Sequence, residues 1–312
     1  THTKCSQVWS YGSGNHGSVS IDQCIGDAYL YDGIARLVGR IRKSRFSHRN
    51  ACGLSVIASY ISTIDGDWAA GKTALIAGGS SGIGLAAAKE LAKAGFSRVI
   101  INGRDPERGS AAIDILRQGA PECDVIFDAG DASHIETAES MVHKAEGRID
   151  FFLNAVPGNM PATLFSDFEM SRLNSLIDVH LGSVFRCCHA VYKCMRARGD
   201  GVIINVASDA AKIPTVGETI HGAIMAAIDM FSRTLAVEAA RSGIRVHVLT
   251  PSIVVETNSF DRMMDGGFSE KLFKRALEKA QLGVVEPHDI APLIVFLARK
   301  KTKKMTGQRI TI

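Results

Sequence analysis

Two short stretches of the chain carry residues whose types and spacing could do chemistry. The first is GGSSGIG, residues 78–84, which follows the apolar run KTALIA and precedes the helical pattern LAAAKELAKAG. In such a strand–turn–helix, Gly78 permits a tight turn, Gly82 lets the backbone approach a phosphate, and Gly84 lets the helix pack closely on the strand. Backbone N–H groups of Ser80, Ser81, Gly82, Ile83 and Gly84 would then meet a pyrophosphate at the helix N-terminus, where the macrodipole favours anions. The second stretch is TIHGAIMAAID, residues 219–229, whose small and apolar residues recur at helical spacing and present His221 with Met225 one turn on. An imidazole titrates near pH 6.5, a value suited to acid catalysis. A thioether brings neither charge nor hydrogen-bond donor. Arg104 is a third candidate: it follows the run RVIING, where a ribose-reading residue belongs. An acidic side chain there would take the 2′-OH of NAD, whereas a guanidinium fits a 2′-phosphate, so NADP is expected over NAD. The competing reading makes Arg104 a solvated loop residue beside Asp105.

The elements that must hold these residues are legible as alternation. After KTALIA come RVIING, CDVIFDA, IDFFLNA, GVIINVAS, IRVHVLTP and a final RITI, most of them separated by helical patterns. Strands alternating with helices imply right-handed βαβ units and a parallel sheet covered on both faces. The expectation is therefore an α/β chain: a doubly wound, Rossmann-type single domain over residues 66–312, with an N-terminal extension over residues 1–65. No run of 18 apolar residues occurs, so no helix is expected to cross a membrane.

Composition is that of a globular chain: 312 residues, 46% hydrophobic, with a net charge of +4. Seven Lys and Arg against four Asp in residues 1–65 supply most of that excess, so the main body is close to neutral and offers nothing to a nucleic acid. The seven cysteines are odd in number and lack CxxC spacing, as in a reducing compartment. Cys187, Cys188 and His189 are adjacent, but neighbours on a helix point to different faces, so they read as buried thiols and no metal site is expected. Within the extension, Ile34, Leu37, Val38 and Ile41 form one apolar stripe beside Arg36, Arg40, Arg42, Lys43 and Arg45. An Arg-rich, acid-poor amphipathic stretch has the character of a mitochondrial transit segment, with peroxisomal or cytoplasmic residence as alternatives. Retained in the folded protein, it would be an arm that docks on other protein subunits, a membrane-surface contact through residues 34–46, or a solvated helix on its own domain. With Phe46 as its one aromatic, it makes no stacking platform for RNA.

From about Asp67 onward the chain resembles the short-chain dehydrogenase/reductase family. GGSSGIG resembles its T-G-x-x-x-G-x-G motif with Ala77 for the Thr, Asp128 its adenine-contacting Asp, and Asn154 the first Asn of N-N-A-G, while Ala155 and Pro251-Ser252 depart from the pattern. Within the family, LNAVPGNMPAT and IDMFSRTLAVEAARSGIRV are similar to the 2,4-dienoyl-CoA reductase branch. The resemblance implies catalytic Asn, Ser, Tyr and Lys, and those positions fall on His180, Ser208, His221 and Met225. Only Ser208 is kept. Met225 can neither depress a neighbour's pKa nor hold ribose hydroxyls, as the family's Lys does. One expectation is an accessory subunit of a larger, mitochondrial assembly that keeps the fold, with NADP(H) bound structurally or lost. The other is an NADPH-dependent oxidoreductase of enoyl-CoA or carbonyl substrates that works through His221, Ser208 or Asp209. The family also uses the helix at residues 219–241, with the one before it at about 167–198, as a four-helix dimer contact, so a homodimer or an equivalent contact to another subunit is expected there.

Overall fold

A computed structural model describes residues 68–156 and 160–312. The basic stripe at residues 34–46, the rest of the extension, and part of the loop after Asn154 lie outside the described residues. Seven parallel strands form one sheet: β1 (Thr73–Ala77), β2 (Arg98–Gly103), β3 (Asp124–Ala129), β4 (Phe151–Asn154), β5 (Gly201–Val206), β6 (Ile244–Thr250) and β7 (Arg309–Thr311). Their order is β3-β2-β1-β4-β5-β6-β7, so the order reverses between β1 and β4 and opens a crevice beyond the carboxyl ends of those strands.

The strands are apolar throughout because both faces are covered. All five residues of β1, TALIA, are buried. Leu75, Ile100, Phe152 and Ile203 point into one core with Met141, Cys187, Met195 and Ile228. Ile76, Ile101, Phe151 and Ile204 point into the other, with Leu91, Leu116, Ile290 and Ile294. Helices α1 (Gly82–Lys93), α2 (Pro106–Gly119) and α9 (Pro287–Ala298) supply the second layer. Helices α3 (Ile135–Lys144), α5 (Ser183–Arg198) and α6 (Thr219–Ala239) supply the first. Trp68 closes the α9 side: its ring meets Phe96 edge-on at 5.5 Å and carries Lys72 and Arg299 over its faces.

Two features differ from the simple strand–helix alternation. The segment before α5 is not one helix: short 3₁₀ turns lead to α4 (Leu173–Ile177) and then a π turn, Asp178–Gly182, that carries His180. Arg186 locks this turn by donating to Asp178 Oδ1 at 3.0 Å and to the Ser133 carbonyl. After β6, helices α7 (Asn258–Met263) and α8 (Gly267–Leu277) are inserted before α9.

Helix α6, extended to Thr219–Ser242, is by length and composition long and apolar enough to cross a membrane. Its inner row, Ile224, Ile228, Ser232 and Ala236, is buried, and the helix lies along β6, as a sheet-covering helix does. Its outer face leaves Met230 and Val237 exposed, and its Phe231 meets the exposed Phe185 of α5 with ring centroids 4.7 Å apart and planes tilted by 48°.

His247, in the middle of β6, is fully buried, and neither ring nitrogen has a partner. Burial, helped by nearby Arg245, pushes its pKa from 6.5 down to about 4. As pH falls below 6.5 the unfolded chain takes the proton first, so the folded state loses stability until about pH 4, where the loss levels off. We expect His247→Leu to remove roughly 1.4 kcal/mol of destabilisation for each pH unit in that window. Urea denaturation of both proteins at several pH values checks this; parallel curves would refute it.

Candidate functional site

The glycine turn is built by close approach. Gly78 has φ +74, and a Cβ there would lie 2.5 Å from the Ala155 carbonyl oxygen. A Cβ on Gly84 would lie 2.1 Å from the Gly78 oxygen, so α1 can sit this near the end of β1 only with glycine at residue 84. Ser81 is the N-cap of α1 but makes no side-chain cap bond, and the first turn holds no acidic residue. The positive end of α1 is thus left open to a ligand. Ser81, Gly82 and Ile83 line the cleft, whose volume is about 130 Å³. Ser80 turns the other way and packs where a Cβ on Gly103 would be, 2.6 Å from its Oγ.

One register level of the sheet carries the polar floor. Asp128, Asn102, Ala77, Asn154 and Asn205 stand side by side across five strands. Asn102 donates to the carbonyls of Asp128 and Gly130 and stitches the strand ends together. Asn154 lines the cleft; its Oδ1 accepts from Val156 N at 3.2 Å, while its buried Nδ2 has no partner. Asp128 is buried off the cleft, with Oδ1 held by Ser140 at 3.0 Å and Lys144 at 2.5 Å and Oδ2 without a partner. Arg104 is exposed, 3.8 Å from Asp131 Oδ2. Asp105 is not its partner, because that carboxylate caps α2 by accepting from Glu107 N and Arg108 N.

His180, Ser208, His221 and Met225 all line the same cleft as the glycine turn. The π turn brings His180 from the α4–α5 side, β5 delivers Ser208 beyond its carboxyl end, and the first turns of α6 deliver His221 and Met225. The two imidazoles meet edge to face with ring centroids 6.1 Å apart. Ser208 Oγ accepts from Ala210 N at 3.3 Å and lies 3.4 Å from Asp209 Oδ1. The expectation that His221 titrates near 6.5 is corrected by its surroundings. Burial, opposed weakly by Asp209, lowers its pKa to about 4, and burial with His221 nearby does the same to His180. Both rings are therefore neutral at pH 7.

Among the described residues, no Lys, Arg, Asp or Glu lines the cleft. One turn after His221, where the family resemblance implies a cation, stands the thioether of Met225, itself buried, and among the described residues no Lys or Arg lines the cleft. Met160, Phe260 and Met263, which the sequence did not single out, complete the apolar wall. The segment after β6 reaches over the entrance, where Asn258 donates to Ser81 Oγ at 3.3 Å and Thr257 packs against Gly82. Just before it, Glu256 has the left-handed φ of +57. Glu218, the N-cap residue of α6, has its carboxyl pushed up to about 7 by burial, with Asp209 adding to the effect.

Residues 77–312 match the family profile described as Enoyl-(Acyl carrier protein) reductase. The chain is 28% identical over 244 residues to the short-chain reductase protein NovJ of Streptomyces niveus, covering 77% of this chain and 92% of that protein. It is 33% identical over 245 residues to the 3-oxoacyl-[acyl-carrier-protein] reductase FabG of Chlamydia pneumoniae, covering 78% and 95%. Among solved structures it is similar to L-sorbose reductase from Gluconobacter frateurii complexed with NADPH and L-sorbose, at 26% identity and TM-score 0.71, covering 79% of this chain and 97% of that one.

The fit of α1 on β1 makes a direct prediction. Gly84→Ala should cost about 1–3 kcal/mol through overpacking against the Gly78 carbonyl. Gly119→Ala, with nothing within 4 Å of its added Cβ, should be tolerated. Thermal unfolding of the two variants separates them, and equal melting temperatures would show that the contact relaxes freely.

Proposed function

The chain belongs to the short-chain dehydrogenase/reductase family, and on that premise we propose that it binds NADP(H) at residues 78–84 without acting as a reductase, as an accessory subunit of a larger assembly. The observation that carries this reading is the uncharged cleft. Carbonyl reduction needs a group that gives up a proton as hydride arrives, and an ionisable neighbour to tune it. Met225 is incapable of tuning, and His221 and His180 are neutral far below physiological pH.

Dinucleotide binding is supported separately by what does fit. The open N-terminus of α1 suits a pyrophosphate, and Asn154 lines the same cleft. Arg104 stands exposed at the end of β2, where a 2′-phosphate would come. When bound, the nicotinamide would supply or accept a hydride; the residues around it offer binding and exclusion of water. The exposed Phe185, Met230 and Val237 on α5 and α6 give a surface for a second copy or another subunit. The basic stripe at residues 34–46 is the reason to place that assembly in the mitochondrion.

A second reading, an oxidoreductase of enoyl-CoA or carbonyl substrates, draws on Glu218. Its carboxyl titrates at about 7 beside Asp209, and Asp209 lies 3.4 Å from Ser208 Oγ, so a proton source stands behind the one family residue that is kept. The likeness of residues 153–163 and 228–246 to the dienoyl-CoA reductase branch supports the same alternative.

Titration of the purified chain with NADPH and NADH, followed by an NADPH-oxidation assay with ketones and enoyl-CoA esters, tests both. We expect NADPH to bind more tightly than NADH, and Arg104→Ala to weaken NADPH by about tenfold while leaving NADH unchanged. No steady oxidation is expected from the natural chain, and measurable oxidation from the double variant His221→Tyr/Met225→Lys. Brisk turnover by the natural chain that disappears in His221→Ala or Glu218→Gln would overturn the non-catalytic reading in favour of the second.

A further inference from the structure

The amino-terminal edge of the sheet carries a charge pattern that the near-neutral total conceals. Residues 290–312 hold Arg299, Lys300, Lys301, Lys303, Lys304 and Arg309 and no acidic residue. The first five fall within RKKTKK, residues 299–304, between the end of α9 and β7. Lys300, Lys301, Lys303 and Lys304 are all exposed. This run is a built turn. Thr302 at its centre is buried; its hydroxyl donates to the Arg299 carbonyl at 2.7 Å and accepts from Arg245 Nη1 at 2.7 Å. Arg245, itself buried in β6, also donates to the carbonyls of Leu297 at 2.7 Å and Arg299 at 3.3 Å. The guanidinium's fork of donors thus clamps the main chain from inside and leaves the lysines to the outside.

Further cations stand close by. Lys72, just before β1, and Arg299 lie over the Trp68 ring, 5.1 Å and 5.4 Å from its centroid. Burial holds the Lys72 ammonium below its usual value; Asp150 and Asp200 oppose this, and the like charges of Lys300 and Arg245 add to it. Asp150 is already engaged by Arg148 and Arg198, and Asp229 by Arg309. Among the described residues, Lys300, Lys303 and Lys304 form no ion pair. Like charges grouped in this way repel one another, and an anionic partner relieves them.

The surroundings select among anionic partners. A second copy of this chain is disfavoured, because a two-fold contact would set the same lysines against one another. A single-stranded nucleic acid needs aromatic faces on which bases stack, and the Trp68 ring is occupied by two cations and by the edge of Phe96. The exposed charges are ammonium groups, point charges suited to diffuse attraction rather than to bidentate readout. Phe296, one turn before the run, is 48% exposed. An apolar ring beside a compact cationic cluster suits the boundary between lipid headgroups and acyl chains.

We infer that the turn at residues 299–304, together with Phe296, is a docking surface for an anionic lipid membrane, with the lysines on the headgroup phosphates and the ring in the interface. All seven strands are parallel, so this edge lies opposite the crevice, and docking leaves the cleft open on the far side. The inference depends on neither dinucleotide binding nor turnover.

The test sediments the full chain with vesicles of phosphatidylcholine alone and of phosphatidylcholine and phosphatidylglycerol in equal parts. We expect binding to the mixed vesicles and not to the neutral ones, weakening as NaCl rises from about 0.1 M to about 0.5 M. Lys303→Gln/Lys304→Gln should weaken binding by about 30-fold, and Phe296→Ser by about fivefold, with melting temperatures unchanged. Residues 34–46 are basic too, so the same losses are expected in a chain carrying Arg40→Gln/Arg42→Gln/Lys43→Gln. If that chain no longer binds vesicles at all, the inference is overturned. Equal binding to both kinds of vesicle, binding undiminished in the lysine variant, or tighter binding to RNA than to the mixed vesicles would overturn it as well. Dissociation of an oligomer in the lysine variant would assign the patch to a subunit contact and would count against it equally.

Discussion

The contact between the start of α1 and the end of β1 governs the rest of this molecule. Because residues 78 and 84 are both glycine, the helix sits where a single added carbon would come within 2.1 Å of a backbone oxygen. That closeness fixes the direction of α1, brings its uncapped N-terminus to the strand-order reversal between β1 and β4, and decides where the cleft opens. The polar row from Asp128 to Asn205 then forms a floor at the same level, and α6 closes the far side with His221 and Met225. The shape of the cleft's mouth is therefore a property of backbone packing rather than of the side chains that line its inner end.

That separation distinguishes the residues that build the fold from those that would carry out a reaction in it. Strand burial, the glycine turn and the α1–α9 packing depend on size and apolarity, which the sequence retains. Proton transfer depends on ionisable groups in a shielded place, and among the described residues that line the cleft these are His180 and His221. The thioether of Met225 lines the cleft without an ammonium that burial would strip of water. Apolar lining and neutral imidazoles are mutually consistent, because burial disfavours the charged form of each ring.

Much of this was legible in the sequence. The order of strands and helices, the glycine turn and the convergence of His180, Ser208, His221 and Met225 all follow from local pattern and from likeness to relatives. What was hidden depended on distant partners. The π turn at His180 is held by Arg186 reaching back to Ser133, and no local periodicity announces it. Arg104 looked like a neighbour of Asp105, but that carboxylate is taken up as a helix cap and the facing acid comes from beyond β3. Glu218 carries no local signal, and its raised pKa comes from burial, with Asp209 adding to the effect. The cover over the entrance was invisible because Asn258 meets Ser81 across 177 residues of chain. In each case the deciding quantity was a tertiary contact or a degree of burial, which composition and spacing do not encode.

Trp68, wedged between Phe96 and two cations, gives this protein a built-in optical reporter. It is the only indole among the described residues, and it stands on the α9 side of the sheet, away from the residues that line the cleft. Its emission should follow the docking of that layer during unfolding. Changes confined to the cleft should leave it comparatively steady, so assembly of the scaffold and occupation of the crevice can be watched at separate wavelengths in one cuvette.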